Sequence, residues 1–127
     1  MTSTVVTKPH GELLHRRSRA GETFWGPGDM YRFLVTGEES GGAYFAMEAV
    51  VPAGGGPPPH THRDEDDTFY VVEGACDFRL GEETVTAGVG DFVNVPRGTV
   101  HCFHNSGPAA ARYVAAAPRH GLEFVVE

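Results

Sequence analysis

Residues 54–74 read GGGPPPHTHRDEDDTFYVVEG and residues 90–105 read GDFVNVPRGTVHCFHN, and the fold of the chain hangs on these two stretches. In the first, a Gly- and Pro-rich lead ends on His60 and His62, one residue apart. In an extended segment both imidazoles then point to the same face. The acidic run Asp64-Glu65-Asp66-Asp67 follows, then the apolar run Thr68–Glu73, then Gly74. Gly74 stands between two hydrophobic runs, where a hairpin needs a positive φ that is cheap only for glycine. In the second stretch, Gly90-Asp91 turns the chain into Asp91–Val95. Pro96-Arg97-Gly98 makes a further turn with a fixed φ at its start. His101 then opens an alternating run with Phe103 and Asn105.

The chain on either side follows the same style. With 17 glycines and 9 prolines it is broken too often for long helices. Short apolar or alternating runs remain: Met30–Thr36, Ala43–Val51, Thr68–Glu73, Ala75–Leu80, Glu83–Ala87, Asp91–Val95, Val100–His104, Arg112–Ala117 and Leu122–Val126. Short strands at such spacing, punctuated by Gly and Pro, predict an all-β sandwich or barrel. Residues 1–29 read as an N-terminal arm with room for one edge strand near Leu13 and Leu14. Residues 30–127 read as the barrel.

A length of 127 residues suits one domain with one core and one site. The net charge is −7, and Asp64, Glu65, Asp66 and Asp67 supply four of the negatives, leaving about −3 elsewhere. That balance argues against a nucleic-acid partner, whose binding rests on Lys and Arg neutralising phosphates. The basic cluster His15, Arg16, Arg17 and Arg19 reads as part of a solvated arm. No stretch approaches the roughly 18 apolar residues that cross a bilayer, and no membrane partner is expected. Residues 1–10 lack the apolar core of a signal peptide, so a cytoplasmic protein is expected. Cys76 and Cys102 form no CxxC pair and are expected to be reduced, structural thiols.

The histidines carry the chemistry. Imidazole suits Fe, Mn, Co, Ni, Cu and Zn, and three histidines with at most one carboxylate leave positions open for substrate or water. His60, His62 and His101 also sit in wider patterns. Gly54, His60, His62 and Gly74 fit G-x5-H-x-H-x4-E-x6-G, except that Asp67 stands at the Glu position. Gly90, Pro96, Gly98, His101 and Asn105 fit G-x5-P-x-G-x2-H-x3-N without departure. These are the two motifs of the cupin superfamily, and the chain resembles a small single-domain member over about Gly54 to Asn105.

The resemblance implies a double-stranded β-helix, or jelly-roll barrel, holding one divalent transition metal ion: Fe, Mn, Ni or Co, with Zn as a further candidate. His60, His62 and His101 would be its ligands. The family's glutamate either completes the metal shell or stands beside it as a base, and Asp67 inherits both roles. Its side chain is one methylene shorter, so it falls a little over an ångström short unless the strand shifts. The Pro-Pro-Pro-His-Thr-His stretch and the Thr-Phe-Tyr-Val-Val-Glu-Gly that follows look most like small quercetinase-type cupins. A dioxygenase acting on a phenolic or enolic small molecule is therefore the leading expectation. A cyclase or isomerase using the metal as a Lewis acid is the alternative, and a non-catalytic small-ligand binder is the third. Cupins of this size commonly pair, which implies a homodimer.

Other residues are weaker candidates. Phe69, Val71, Phe78, Phe92 and Phe103 are expected to pack the barrel and wall the metal. Tyr44, Glu48, Tyr113 and Arg32 lie on predicted strands and could point inward. Trp25 could cap the mouth or meet a partner subunit. Asn105 is expected to tie down a turn, and Asp64, Glu65 and Asp66 to form a solvated rim.

Overall fold

The computed structural model describes residues 13–118 and the backbone of residues 124–126. Its eleven strands among these residues are β1 (Thr23–Trp25), β2 (Met30–Val35), β3 (Tyr44–Val51), β4 (His60–His62), β5 (Asp67–Glu73), β6 (Ala75–Leu80), β7 (Glu83–Gly88), β8 (Phe92–Val95), β9 (His101–His104), β10 (Ala111–Pro118) and β11 (Phe124–Val126). One sheet has the order β1-β2-β3-β10-β5-β8 and the other β11-β4-β9-β6-β7, with every pairing antiparallel. The chain crosses repeatedly between the sheets, which makes a jelly-roll barrel of the all-β class. The runs expected from alternation all form strands, within a residue or two at their ends.

Period-two alternation explains what lies inside. Along β3, Phe45, Met47, Ala49 and Val51 point in; along β10, Ala111, Tyr113, Ala115 and Ala117 do so. β5 contributes Phe69 and Val71, β6 Cys76 and Phe78, and β9 Phe103. Rings from the two sheets meet in the middle. Phe69 lies 4.7 Å from Phe78 and 4.8 Å from Tyr113 between centroids, and Phe103 packs edge-on at 5.5 Å from Tyr113.

Two expectations change, for Phe92 and for Leu13 and Leu14, and the structure places the residues that the sequence left open. Phe92 is 62% exposed, because Val93 and Val95 take the inward positions of β8 and leave Phe92 facing out beside Tyr70. Of Tyr44, Glu48, Tyr113 and Arg32, only Tyr113 points in. Tyr44 is exposed, while Glu48 lies on the outer face, where it pairs with Arg32 at 2.6 Å and Arg112 at 3.2 Å. Leu13 and Leu14 run as irregular, exposed chain; the edge strand before Met30 is β1, further along. Trp25, on that strand, is 72% exposed among the described residues.

Candidate metal centre

Three short elements bring the histidines together. β4 places His60 and His62 on one face, and its neighbour β9 sets His101 directly across from His60. The turn before β9 is tied to β4, since the amide of Gly98 donates to the carbonyl of His62 at 2.8 Å. Gly98 has φ of 77°, a conformation that suits glycine. The imidazole centroids lie 4.4 Å (His60–His101), 5.0 Å (His60–His62) and 5.5 Å (His62–His101) apart, and each residue is 2% exposed.

Backbone carbonyls set the tautomers. His60 Nδ1 donates to Pro58 O at 2.8 Å and His101 Nδ1 to Thr99 O at 2.9 Å. A carbonyl only accepts, so Nδ1 carries the proton in both rings and each Nε2 turns a lone pair inward. This is the usual support of a metal-ligating imidazole. Burial holds the His60 pKa below its ordinary value, which keeps the ring neutral.

Asp67, the first residue of β5, enters the same space. Its Oδ2 lies 3.0 Å from Nε2 of His62, 3.0 Å from Nε2 of His101 and 4.0 Å from Nε2 of His60. The four ligand atoms all fall within 4.8 Å of one another, and all four residues are buried. The shorter side chain therefore reaches the centre. The preceding residue shows how the backbone is brought in: the carboxylate of Asp66 accepts from the Arg97 amide at 3.0 Å, Arg97 Nε at 3.1 Å and Asn94 Nδ2 at 3.2 Å. Asp66 is thus a clamp between the acidic loop and the turn before β9, a role beyond the solvated rim expected for it. Burial alone would raise the Asp67 pKa, but its contacts with His101 and His62 prevail and hold it below the ordinary carboxylate value.

A lone pair of His101 facing a carboxylate oxygen at 3.0 Å is repulsive unless a proton or cation lies between them. Atoms at right angles about an ion with bonds of about 2.1 Å sit about 3.0 Å apart. Three imidazole nitrogens and one carboxylate oxygen in a buried pocket also form a donor set for a transition metal rather than for Mg or Ca. The residues present fit such an ion. Partly buried Leu80 pairs with His101 and buried Val95 with Asp67 across the strands, while buried Phe69 follows two residues after Asp67 on β5; together they supply an apolar wall.

Asn105 follows β9 directly and is the turn anchor its position suggests. Its Nδ2 donates to Val51 O at 3.0 Å and Ala109 O at 2.8 Å, and its Oδ1 accepts from Gly107 N at 3.0 Å. Two interior polar residues escaped the sequence reading: Asp29, which is 0% exposed, and Tyr31, 4% exposed. The signal was present in the alternation of β2, which puts residues 29 and 31 on one face.

A barrel of this topology with this cluster defines a metal-site jelly roll. Residues 47–117, more than half of the chain, match the family described as Cupin domain, Cupin_2, and the chain belongs to that family. It is similar to the quercetin 2,3-dioxygenase of Bacillus subtilis (strain 168), with 26% identity over 74 residues. That match takes in 58% of this chain and 22% of the dioxygenase, so the chain spans under a quarter of that relative. Among solved structures, it is similar to the polyketide cyclase RemF from Streptomyces resistomycificus (TM-score 0.73, 25% identity, 91% of this chain and 86% of that one). A predicted oxalate decarboxylase from Thermotoga maritima shares the fold (TM-score 0.74, 18% identity, 84% of this chain and 100% of that one).

Proposed function

We propose that the protein is a mononuclear, metal-dependent dioxygenase acting on a phenolic or enolic small molecule. The observation that carries this reading is the convergence of three Nε2 atoms and Asp67 Oδ2 within 4.8 Å inside an apolar barrel. His60, His62 and His101 are proposed as ligands and Asp67 as the fourth, for Fe, Mn, Ni or Co. Such an ion supplies a positive centre that favours the ionised form of a phenol or enol and a route for electrons to dioxygen. The chain's residues do the rest. Pro58 O and Thr99 O orient two of the rings, Phe69 and Val95 keep bulk water from the cluster, and Asp67 lowers the net charge of the site. The likeness to a quercetin 2,3-dioxygenase supports the substrate class.

A cyclase that uses the same ion as a Lewis acid is the second reading, favoured by the likeness to RemF over 91% of the chain. Oxygen uptake with a panel of flavonols, diketones and hydroxyquinones decides between them. Turnover that consumes oxygen supports the dioxygenase, turnover without oxygen the cyclase, and binding without turnover a non-catalytic binder. Metal analysis of protein purified without chelator narrows the chemistry further. We also propose a homodimer in the cytoplasm with no nucleic-acid or membrane partner. The exposed edge strand β1 with Phe24 and Trp25, the free thiols Cys76 and Cys102, and the net charge of −7 support this.

A further inference from the structure

β1 is lightly secured. It has three residues, all exposed, and pairs with β2 alone at the edge of its sheet. Beyond that short ladder it is held by one ring: Phe24 lies 5.2 Å from Tyr31 and 5.5 Å from Phe33 between centroids. Phe33 packs in turn on the core and on Phe45. The segment 22–29 thus covers a flank of the barrel with few contacts, and such an element is cheap to open locally.

Both ends of the segment are anchored, so it can lift without leaving. Ahead of it, Arg16 donates to Leu34 O at 2.7 Å and to the two carboxylate oxygens of Glu39 at 3.1 and 2.7 Å. Behind it, the chain runs on into β2. A recess of about 240 Å³ between Arg16, Glu22, Phe33, Thr36 and Glu39 leaves its base loosely packed. Two hydrogen bonds tie the segment to the body of the barrel. The Phe33 amide donates to Glu22 O at 3.1 Å, and the Gly56 amide donates to Gly28 O at 3.0 Å. Gly28 has φ of 96°, and a Cβ there would strike the Gly56 carbonyl, so the turn docks closely.

Asp29 sits under that turn. It is completely buried, and neither carboxylate oxygen has a hydrogen-bond partner among the described residues. A Cβ on Gly26 would lie 3.4 Å from its Oδ1 and would strike the Tyr31 ring, so the carboxyl is packed against the turn itself. The titratable groups facing it are Tyr31 on β2, Tyr113 on β10, Cys76 on β6 and Asp67 on β5. None of them is a cation. Burial pushes both phenols and the thiol above their ordinary values, which keeps them neutral, and the fourth is another acid. An ionised carboxylate here has neither donor nor counter-charge, a costly state. It is relieved by holding a proton or by reaching water, and reaching water requires only that residues 22–29 lift.

We propose that residues 22–29 are a lid governed by the charge of Asp29: the protonated carboxyl lets it stay shut, and the ionised one, its proton passed to water, favours lifting. Lifting breaks the three β1–β2 pairs and the Phe24 contacts, and it uncovers Tyr31, Phe33 and the edge of β2. The direction follows from burial, which raises Asp29 to about 6, with Tyr31 opposing and Asp67 adding. A raised value in the closed form means that closure is favoured fully below about pH 4 and loses that advantage as pH rises to about 6. The Arg16 latch takes no part, because Arg16 holds the Glu39 carboxyl down to about 2.

Hydrogen exchange at the amides of Phe33 and Gly56 tests the lid, with the intrinsic rate at each pH divided out. At every pH these two should open more often than the amides of β10, which lies inside the sheet and moves only with the whole barrel. Between roughly pH 4 and pH 7 their opening in wild-type protein should become about a hundredfold more frequent, the size of the Asp29 shift. Asp29→Asn cannot ionise and should keep both amides equally protected across that range. Phe24→Ala should raise both together by about tenfold at every pH and retain the wild-type rise. Identical exchange in wild type and Asp29→Asn at all pH would overturn the proposal, as would Phe33 and Gly56 opening no more often than β10. If Asp29→Asn does not fold, wild type and Phe24→Ala decide: opening that is level with pH, or that Phe24→Ala changes at only one of the two amides, sinks the lid.

Discussion

His60 and His101 are each held by one carbonyl through Nδ1, so removing either ring takes away a ligand that is already aimed. His60→Ala, His62→Ala and His101→Ala should each lose most bound metal while keeping the far-ultraviolet dichroism of a β-barrel. Near-stoichiometric metal in all three purified variants would contradict the assigned cluster. Asp67→Ala should weaken metal binding by about 10–100-fold, less than loss of a histidine. Asp29 makes a prediction of opposite sign. Its folded pKa, about 6, lies above the ordinary carboxyl value, so folding favours the protonated form. Stability therefore falls as pH rises from about 4 to about 6, and the whole penalty is in place above that. In metal-free protein, Asp29→Asn should be more stable than wild type at pH 7 by on the order of 2–3 kcal/mol, with the gap closing toward pH 4. Urea unfolding at the two pH values measures it.

At the scale of elements, the metal cluster depends on the turns that hold its two short strands more than on long strands. β4 and β9 have three and four residues, and they meet at the single pair His60–His101. The Asp66 clamp and the Gly98–His62 hydrogen bond hold their approaches. At the other end of β9, the Asn105 side chain joins β3 and the 105–109 turn through three hydrogen bonds. Asn105→Ala would leave the Val51 carbonyl without that donor, a buried loss of about 1–3 kcal/mol. Thermal denaturation should show the drop, with metal content at low temperature unchanged, because the ligands lie at the opposite end of the strand. The strands themselves were legible as alternation bounded by Gly and Pro. β1 and β4 were not, because a three-residue strand has no period to read and exists only through its partner.

For the whole molecule, the barrel and the ion should stabilise each other. A metal that binds only the folded chain raises stability by RT ln(1 + [L]/Kd), about 4 kcal/mol at a thousandfold excess over Kd. Added metal should raise the melting temperature, a chelator should lower it again, and His101→Ala should respond to neither. The two strands that carry the histidines are short, so much of this gain should come from locking β4 onto β9.

The chain itself determined the barrel and three of the four cluster residues. Alternation with period two marks which side chains face inward, and HTH within an extended segment puts two imidazoles on one face whatever else happens. His101 was legible because the turn Pro96-Arg97-Gly98 sets where it re-enters. Only the tertiary structure decided whether Asp67 reaches the others. Side-chain length speaks against it, and the answer depends on how far the Asp66 contacts with Asn94 and Arg97 draw the backbone in, across a separation of about thirty residues. The same holds for Asp29 and Tyr31. Their spacing says that they share a face, but that Tyr31 and Tyr113 fall on one rung on either side of Ala49 is a fact of register rather than of local sequence.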